Sequence, residues 1–277
     1  MDFTAPPRQR QMLDRPDCRI AYEVSGSGPP IVFAHGLGGC YMSWWQQVAY
    51  FAPRHTCVSF SHRGFFPSTA PEGGPDPREY ANDLAALVDH LGLGDITLVC
   101  QSMGGWTGVE YALMRPGRVR KLVLAATTGS LDPRQMREPE RGRLAGWARD
   151  AAEARTAMLG RNILPACGPA MAEAQPALHH LYAQMDKLTT GFDKEAVRAR
   201  MGEMRRRPPA DLAAAGCQVL FIAGGRDQVI APFAAEAMAP EIPGSRVATI
   251  PAAGHSAYFE HAATFNALVE AFLAEPA

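Results

Sequence analysis

No stretch of this chain comes near the roughly 18 consecutive apolar residues that a helix needs to cross a bilayer, so a membrane-spanning protein is not expected. Residues 1–18 are polar, with Pro6, Pro7 and several arginines, and lack the apolar centre of a secretion signal. Cysteine is sparse and scattered: six residues, with no Cys-x-x-Cys and no Cys/His cluster, argue against a structural metal site and a disulfide framework. Cys57, Cys100 and Cys217 fall in or beside apolar runs, where cysteine acts as a small buried hydrophobe, and a reducing, cytoplasmic setting follows. Neither sign of charge is in excess, 27 Lys+Arg standing against 28 Asp+Glu for a net charge of −1. That balance offers no field for nucleic acid or an anionic membrane and leaves a small-molecule substrate as the expected partner. The only basic run, Arg205-Arg206-Arg207, lies beside Pro208-Pro209 and reads as a solvated helix end. There are no internal repeats. At 277 residues the chain suits one large domain, or a domain carrying an insertion.

What is present is an alternation of strands and helices. Residues 18–24 (CRIAYEV) alternate like a strand, and Ile31-Val32-Phe33-Ala34 is a short apolar run suited to a central strand covered on both faces. A helix is expected from Ser43, as its N-cap, to Phe51, then a strand at 56–60. Tyr80, Leu84, Leu87, Val88 and Leu91 form one apolar stripe of a helix. A strand carrying Ile96, Leu98 and Val99, a helix over 103–113, and a strand at 121–126 follow. Residues 131–209 break the pattern: they hold no strand-like run, and Pro133, Pro139, Pro165, Pro169 and Pro176 should cut them into short helices. Alternation resumes with strands at 217–223 and 246–250, a helix around 232–239, and a final amphipathic helix. The fold class is therefore α/β, a mostly parallel sheet with helices on both faces, in which 1–130 and 210–277 form the core and 131–209 an inserted helical cap.

The chemistry centres on Cys100-Gln101-Ser102-Met103-Gly104-Gly105, where an apolar strand ends at a serine and a helix begins. Such a turn holds the hydroxyl above the sheet and aims the first helical N–H groups at whatever the serine attacks. A serine hydroxyl needs a base, and the base needs an orienting acid. His255, in a Gly-His-Ser turn after the last strand, is the base candidate, and Asp227, past the strand ending at Ala223, is the acid. Each alone has a plain structural reading as a cap, a turn residue or a packed imidazole. Together they stand in the order Ser, Asp, His, each beyond the C-terminal end of a strand, where open α/β sheets build their sites. Asp132, after the strand that follows the elbow, is the rival acid. His62, His90, His179, His180 and His261 lack either a partner or a strand-end position. The oxyanion requires two donors, the Met103 N–H and the Leu37 N–H of the loop His35-Gly36-Leu37-Gly38-Gly39, in which His35 reads as a bracing group.

These motifs, with Arg63-Gly64, Ser68, Gly225-Arg226-Asp227 and Gly254-His255, resemble an α/β-hydrolase-fold serine hydrolase over roughly 20–273. The resemblance implies an eight-stranded sheet, a helical cap, no cofactor and no metal. Ser-Met-Gly-Gly is similar to small-molecule esterases, enol-lactone hydrolases and carbon–carbon bond hydrolases. Ser102 stands where epoxide hydrolases and haloalkane dehalogenases carry aspartate. Two positions depart from the family: Cys100 replaces the first elbow glycine, to be accommodated by Gly104 and Gly105, and Ser61 and Phe66 replace an aspartate and a glycine of the Arg63-Gly64 loop. The expected activity is cleavage of a small, largely apolar ester, lactone or thioester through an acyl-enzyme. Carbon–carbon cleavage of a diketone, acyl transfer and ligand sensing with vestigial hydrolysis are the alternatives. Substrate contacts are expected from His35, Gly36, Trp106, Trp147 and Tyr182, with Met158, Met171 and Met185 of the cap lining an apolar pocket.

Overall fold

A computed structural model describes residues 5–276; residues 1–4 and 277, covered by the N-terminal and core readings above, lie outside it. Eight strands form one sheet: β1 (Arg8–Asp14), β2 (Arg19–Ser25), β3 (Pro30–Ala34), β4 (Thr56–Phe60), β5 (Ile96–Gln101), β6 (Val119–Ala125), β7 (Gln218–Gly224) and β8 (Arg246–Ile250). Their order is β1-β2-β4-β3-β5-β6-β7-β8, antiparallel at β1/β2 and β2/β4 and parallel from β4 to β8. β1 has no counterpart in the sequence reading. Its RQRQMLD run carries no apolar alternation because it is an edge strand, held by its backbone pairing with β2.

The connecting helices are α1 (Trp45–Phe51), α2 (Tyr80–His90), α3 (Met103–Met114), α4 (Glu140–Gly160), α5 (Gly168–Ala174), α6 (Pro176–Leu188), α7 (Lys194–Met204), α8 (Pro209–Ala213), α9 (Ala234–Met238), α10 (Ala257–Glu260) and α11 (Ala262–Ala274). The central strands are apolar on both sides, and the period of two sorts them into two cores. Val32, Ala34, Leu98, Cys100, Leu122, Leu124 and Phe221 pack against Leu84, Leu87 and Val88 of α2 and Val109 of α3. Ile31, Phe33, Val99, Val123, Leu220 and Ile222 pack on the other side, against Phe51 of α1 and Phe265, Val269 and Phe272 of α11. Ser43 does not cap α1. It sits in a 3-10 turn before that helix, where its Oγ accepts the Cys40 N–H at 3.0 Å.

Between β6 and β7 the chain leaves the sheet for α4 to α8 and returns to its starting point. Leu131 bridges Arg207, the Asp132 N–H donates to Arg207 O at 2.8 Å, and the Arg207 N–H donates to Ser130 O at 3.1 Å. Not all of these helices are short. α4 runs for 21 residues, because no proline falls between Pro139 and Pro165. Pro169 and Pro176 lie in the first turns of α5 and α6, where a missing N–H is harmless. Among the described residues no helix is long and apolar enough to cross a membrane.

Cys100 is absorbed at a different glycine from the pair expected. A Cβ on Gly108 would lie 2.5 Å from Cys100 Sγ, so it is the third glycine of α3 that gives the thiol its space. Gly104 instead lets α3 approach the end of β3, where a Cβ would lie 2.2 Å from Ala34 O, and Gly105 faces the Thr127 side chain. Gly108→Ala should therefore lower stability by about 1–3 kcal/mol through overpacking, and Cys100→Gly should relieve much of that loss. A double-mutant cycle by urea unfolding checks it; simple additivity would show that the two sites do not touch.

Candidate active site

Ser102 stands between β5 and α3 with φ +50° and ψ −113°. A non-glycine residue there carries backbone strain of about 1–3 kcal/mol, and its neighbours hold it in place. The Ser102 N–H donates to Ala125 O at 3.0 Å and the Gly105 N–H to Ser102 O at 2.9 Å. A Cβ on Gly36 would lie 2.0 Å from Gln101 Oε1 and 3.2 Å from the Ser102 Cβ, so the loop after β3 meets the elbow only because that residue is glycine. The adjacent Cys100 is no rival nucleophile, since burial without a charged partner pushes its thiol up.

Asp227 and His255 come from the neighbouring turns after β7 and β8. Gly224 and Gly225 let these turns touch: their missing Cβ atoms would lie 2.0 Å from Gly254 O and 2.6 Å from Pro251 O. The Gly225 N–H then donates to Ile250 O at 3.0 Å and the Arg226 N–H to Ala253 O at 2.9 Å. Asp227 Oδ1 accepts the Val229 and Ile230 N–H groups at 2.7 and 3.0 Å, which aims Oδ2 at His255 Nδ1, 2.8 Å away. Both side chains are buried. With its proton on Nδ1, His255 has Nε2 free to accept one.

The loop after β3 is braced from below. The His62 N–H donates to His35 Nε2 at 3.0 Å, so His35 carries its proton on Nδ1 and donates it to Gly36 O at 2.7 Å. Burial pushes His35 down to about 4. Burial, with His35 beside it, also holds His62 well below its ordinary range. Both stay neutral, as packed structural imidazoles. Ser61 does the bracing of the aspartate it replaces: its Oγ accepts the Tyr41 N–H at 2.9 Å and donates to Phe66 O at 2.8 Å.

A cavity of about 590 Å³ opens above the elbow, lined by Leu37, Ser102, Met103, Tyr182 and His255 among others. Four of the residues singled out from the sequence for substrate contact are elsewhere. His35 and Gly36 are buried at the base of the loop, outside the cavity lining. Trp106 is roofed by Val197 and Met201 of α7, and Trp147 of α4 packs against the sheet core. Met171 and Met185 are likewise spent on packing, and Met158 is buried outside the lining. Met103 and Met201 do line the cavity, with Arg155, Lys194, Arg198 and Arg205 of the helical insert. The cap wall is thus cationic, not simply apolar. Asp132 is not near an imidazole: its two oxygens accept from Arg134 at 2.8 and 3.0 Å.

The family model for the alpha/beta hydrolase fold matches residues 29–262. This chain belongs to the α/β-hydrolase fold family. Its structure is similar to a thermophilic esterase of Thermogutta terrifontis, with a TM-score of 0.74, 27% identity, and 96% and 98% of the two chains covered. A protein of Azorhizobium caulinodans provisionally named a carbamate hydrolase is 32% identical over 162 residues, 58% of this chain and 54% of that one. The 3-oxoadipate enol-lactonase 2 of Acinetobacter baylyi is 30% identical over 128 residues, 46% of this chain and 48% of that one. These last two matches span about half the length of the curated relatives.

One residue of this α/β-hydrolase escaped the sequence reading. Glu260, nearly inaccessible, accepts the Gly254 N–H at 2.8 Å and the Ser256 N–H at 3.1 Å, clasping the backbone on both sides of His255. The signal was only a carboxylate five residues after a histidine, which by itself reads as helix surface. Burial pushes Glu260 up from 4.5 to about 7, against the pull of those two N–H bonds. Between these values the folded state holds a proton that the unfolded chain has released, so stability falls as pH rises through that window. Wild type should lose up to about 3 kcal/mol relative to Glu260→Gln between pH 4.5 and 7, read from unfolding at both pH values. A pH-independent difference would place the Glu260 carboxyl at its ordinary pKa.

Proposed function

We propose that this protein is a serine hydrolase that cleaves a small ester, lactone or thioester through an acyl-enzyme. The observation that carries the reading is the buried 2.8 Å bond between Asp227 and His255, with His255 and a backbone-strained Ser102 on one cavity. Asp227 holds the His255 tautomer whose Nε2 is bare. Ser102 Oγ attacks the carbonyl carbon as its proton passes to His255, and the resulting oxyanion takes the N–H groups of Leu37 and Met103. Collapse breaks the carbonyl–oxygen or carbonyl–sulfur bond, and His255 returns the proton to the leaving alcohol or thiol. Water then attacks the acyl-enzyme with His255 as base, which releases the acid and restores Ser102. The esterase and enol-lactonase names of similar proteins support a carbonyl–oxygen bond as the target. The cysteine usage noted above supports a cytoplasmic enzyme.

A fluorophosphonate probe should label the wild type and leave Ser102→Ala unlabelled. Asp227→Asn should lower kcat toward 4-nitrophenyl acetate by about four orders of magnitude, because the histidine tautomer is lost. Equal labelling of Ser102→Ala would remove Ser102 as the nucleophile.

A further inference from the structure

The three arginines that read as one solvated run are separated by the fold. Arg207 is exposed and forked onto Glu110 at 2.8 and 3.0 Å, and Arg206 is exposed, with its Nε donating to Glu203 O. Arg205, at the C-terminal end of α7, turns into the cavity that holds Ser102 and His255. Its Nε is shut off from solvent and has no hydrogen-bond partner among the described residues. The other cations of the cavity are engaged. Lys194 Nζ lies 2.9 Å from Asp186 Oδ1, Arg198 Nη1 lies 3.2 Å from Glu195 Oε2, and Arg155 Nη1 donates to Gln228 O. Asp132 exerts some attraction on Arg205, but both its oxygens are taken by Arg134. The lining therefore holds four cationic side chains against two acids, and of the two guanidinium groups left without a lining acid Arg155 is met by a backbone carbonyl and Arg205 is not.

A guanidinium does not shed its proton, and one whose Nε is shut off from solvent, while the nearby Asp132 is hydrogen-bonded to Arg134, favours an anion that enters the cavity. Resting on the serine-hydrolase reading above, we propose that the substrate is an ester or lactone bearing a carboxylate, which Arg205 receives as a forked pair of hydrogen bonds while the scissile carbonyl sits at Ser102. A planar carboxylate matches the fork of the guanidinium, accepting two parallel hydrogen bonds from it. This departs from the largely apolar substrate expected from the sequence. The acyl or leaving group carries a charge, and the cap supplies its partner.

The test uses two matched ester pairs: mono(4-nitrophenyl) glutarate against 4-nitrophenyl hexanoate, and 4-acetoxybenzoate against 4-tolyl acetate. In at least one pair the ratio of kcat/KM, charged over neutral, should fall by about 10–100-fold from wild type to Arg205→Met, as expected for a lost charge-assisted bond. Arg205→Lys should retain part of the preference, and Arg205→Gln provides a second neutral variant should the methionine form fold poorly. An unchanged ratio in both pairs would overturn the proposal while leaving the Ser102 assignment intact. Should the wild type hydrolyse none of the four and resist the fluorophosphonate, the serine-hydrolase reading is what fails. Glutarate binding then decides the anion site: a rise in wild-type Tm that is absent in Arg205→Met supports it, and no rise overturns it.

Discussion

The site depends on the hydrogen bond between Asp227 and His255, and that bond depends on two turns being able to touch. A parallel sheet sets adjacent strands a fixed distance apart, so residues beyond the ends of β7 and β8 meet only if their loops lean together. Gly224 and Gly225 permit this, because any side chain there would run into the backbone of the β8 turn. The rest of the arrangement serves the same bond. Two N–H groups orient Asp227 from below, and the Glu260 carboxylate grips both residues flanking His255. An imidazole held this firmly presents one nitrogen in one direction, which is what proton transfer to and from a serine requires.

The elbow solves a related problem with different glycines. Ser102 is held at a positive φ, and α3 must pass close to both β3 and β5. The usual glycine before the serine is absent, yet the close approach survives because its space is supplied from the helix side, by Gly108. Close packing constrains the sum of facing volumes and leaves open which partner is small.

Above this rigid platform the helical insert contributes a different kind of surface. Its two ends are stitched together at Ser130, Asp132 and Arg207, so the insert returns to the sheet where it left. Most of its methionines and Trp147 serve packing, while Arg155, Arg198 and Arg205 reach the cavity. The floor that carries Ser102, Asp227 and His255 and the roof that carries Arg155, Arg198 and Arg205 are thus built from separate parts of the chain.

Much of this was determined by the sequence alone. The apolar runs of β3, β5, β6 and β7 admit only a sheet covered on both faces, and the order Ser102, Asp227, His255, each just past a strand, follows from local pattern. β1 escaped because an exposed edge strand needs no apolar alternation, being held by backbone pairing. The length of α4 depended on where prolines are missing, which a count of prolines hides. What only the tertiary structure decided is which side chains share a space. Composition cannot distinguish a methionine that packs from one that lines, nor an arginine in solvent from one facing a cavity. Near neighbours such as Arg205 and Arg207 point to different surroundings, because the helix ends at Met204 and the chain then leaves it for the bridge of Arg207 to Leu131. Glu260 became visible as a clasp on His255 for the same reason: its partners are backbone N–H groups, which carry no signature in the sequence.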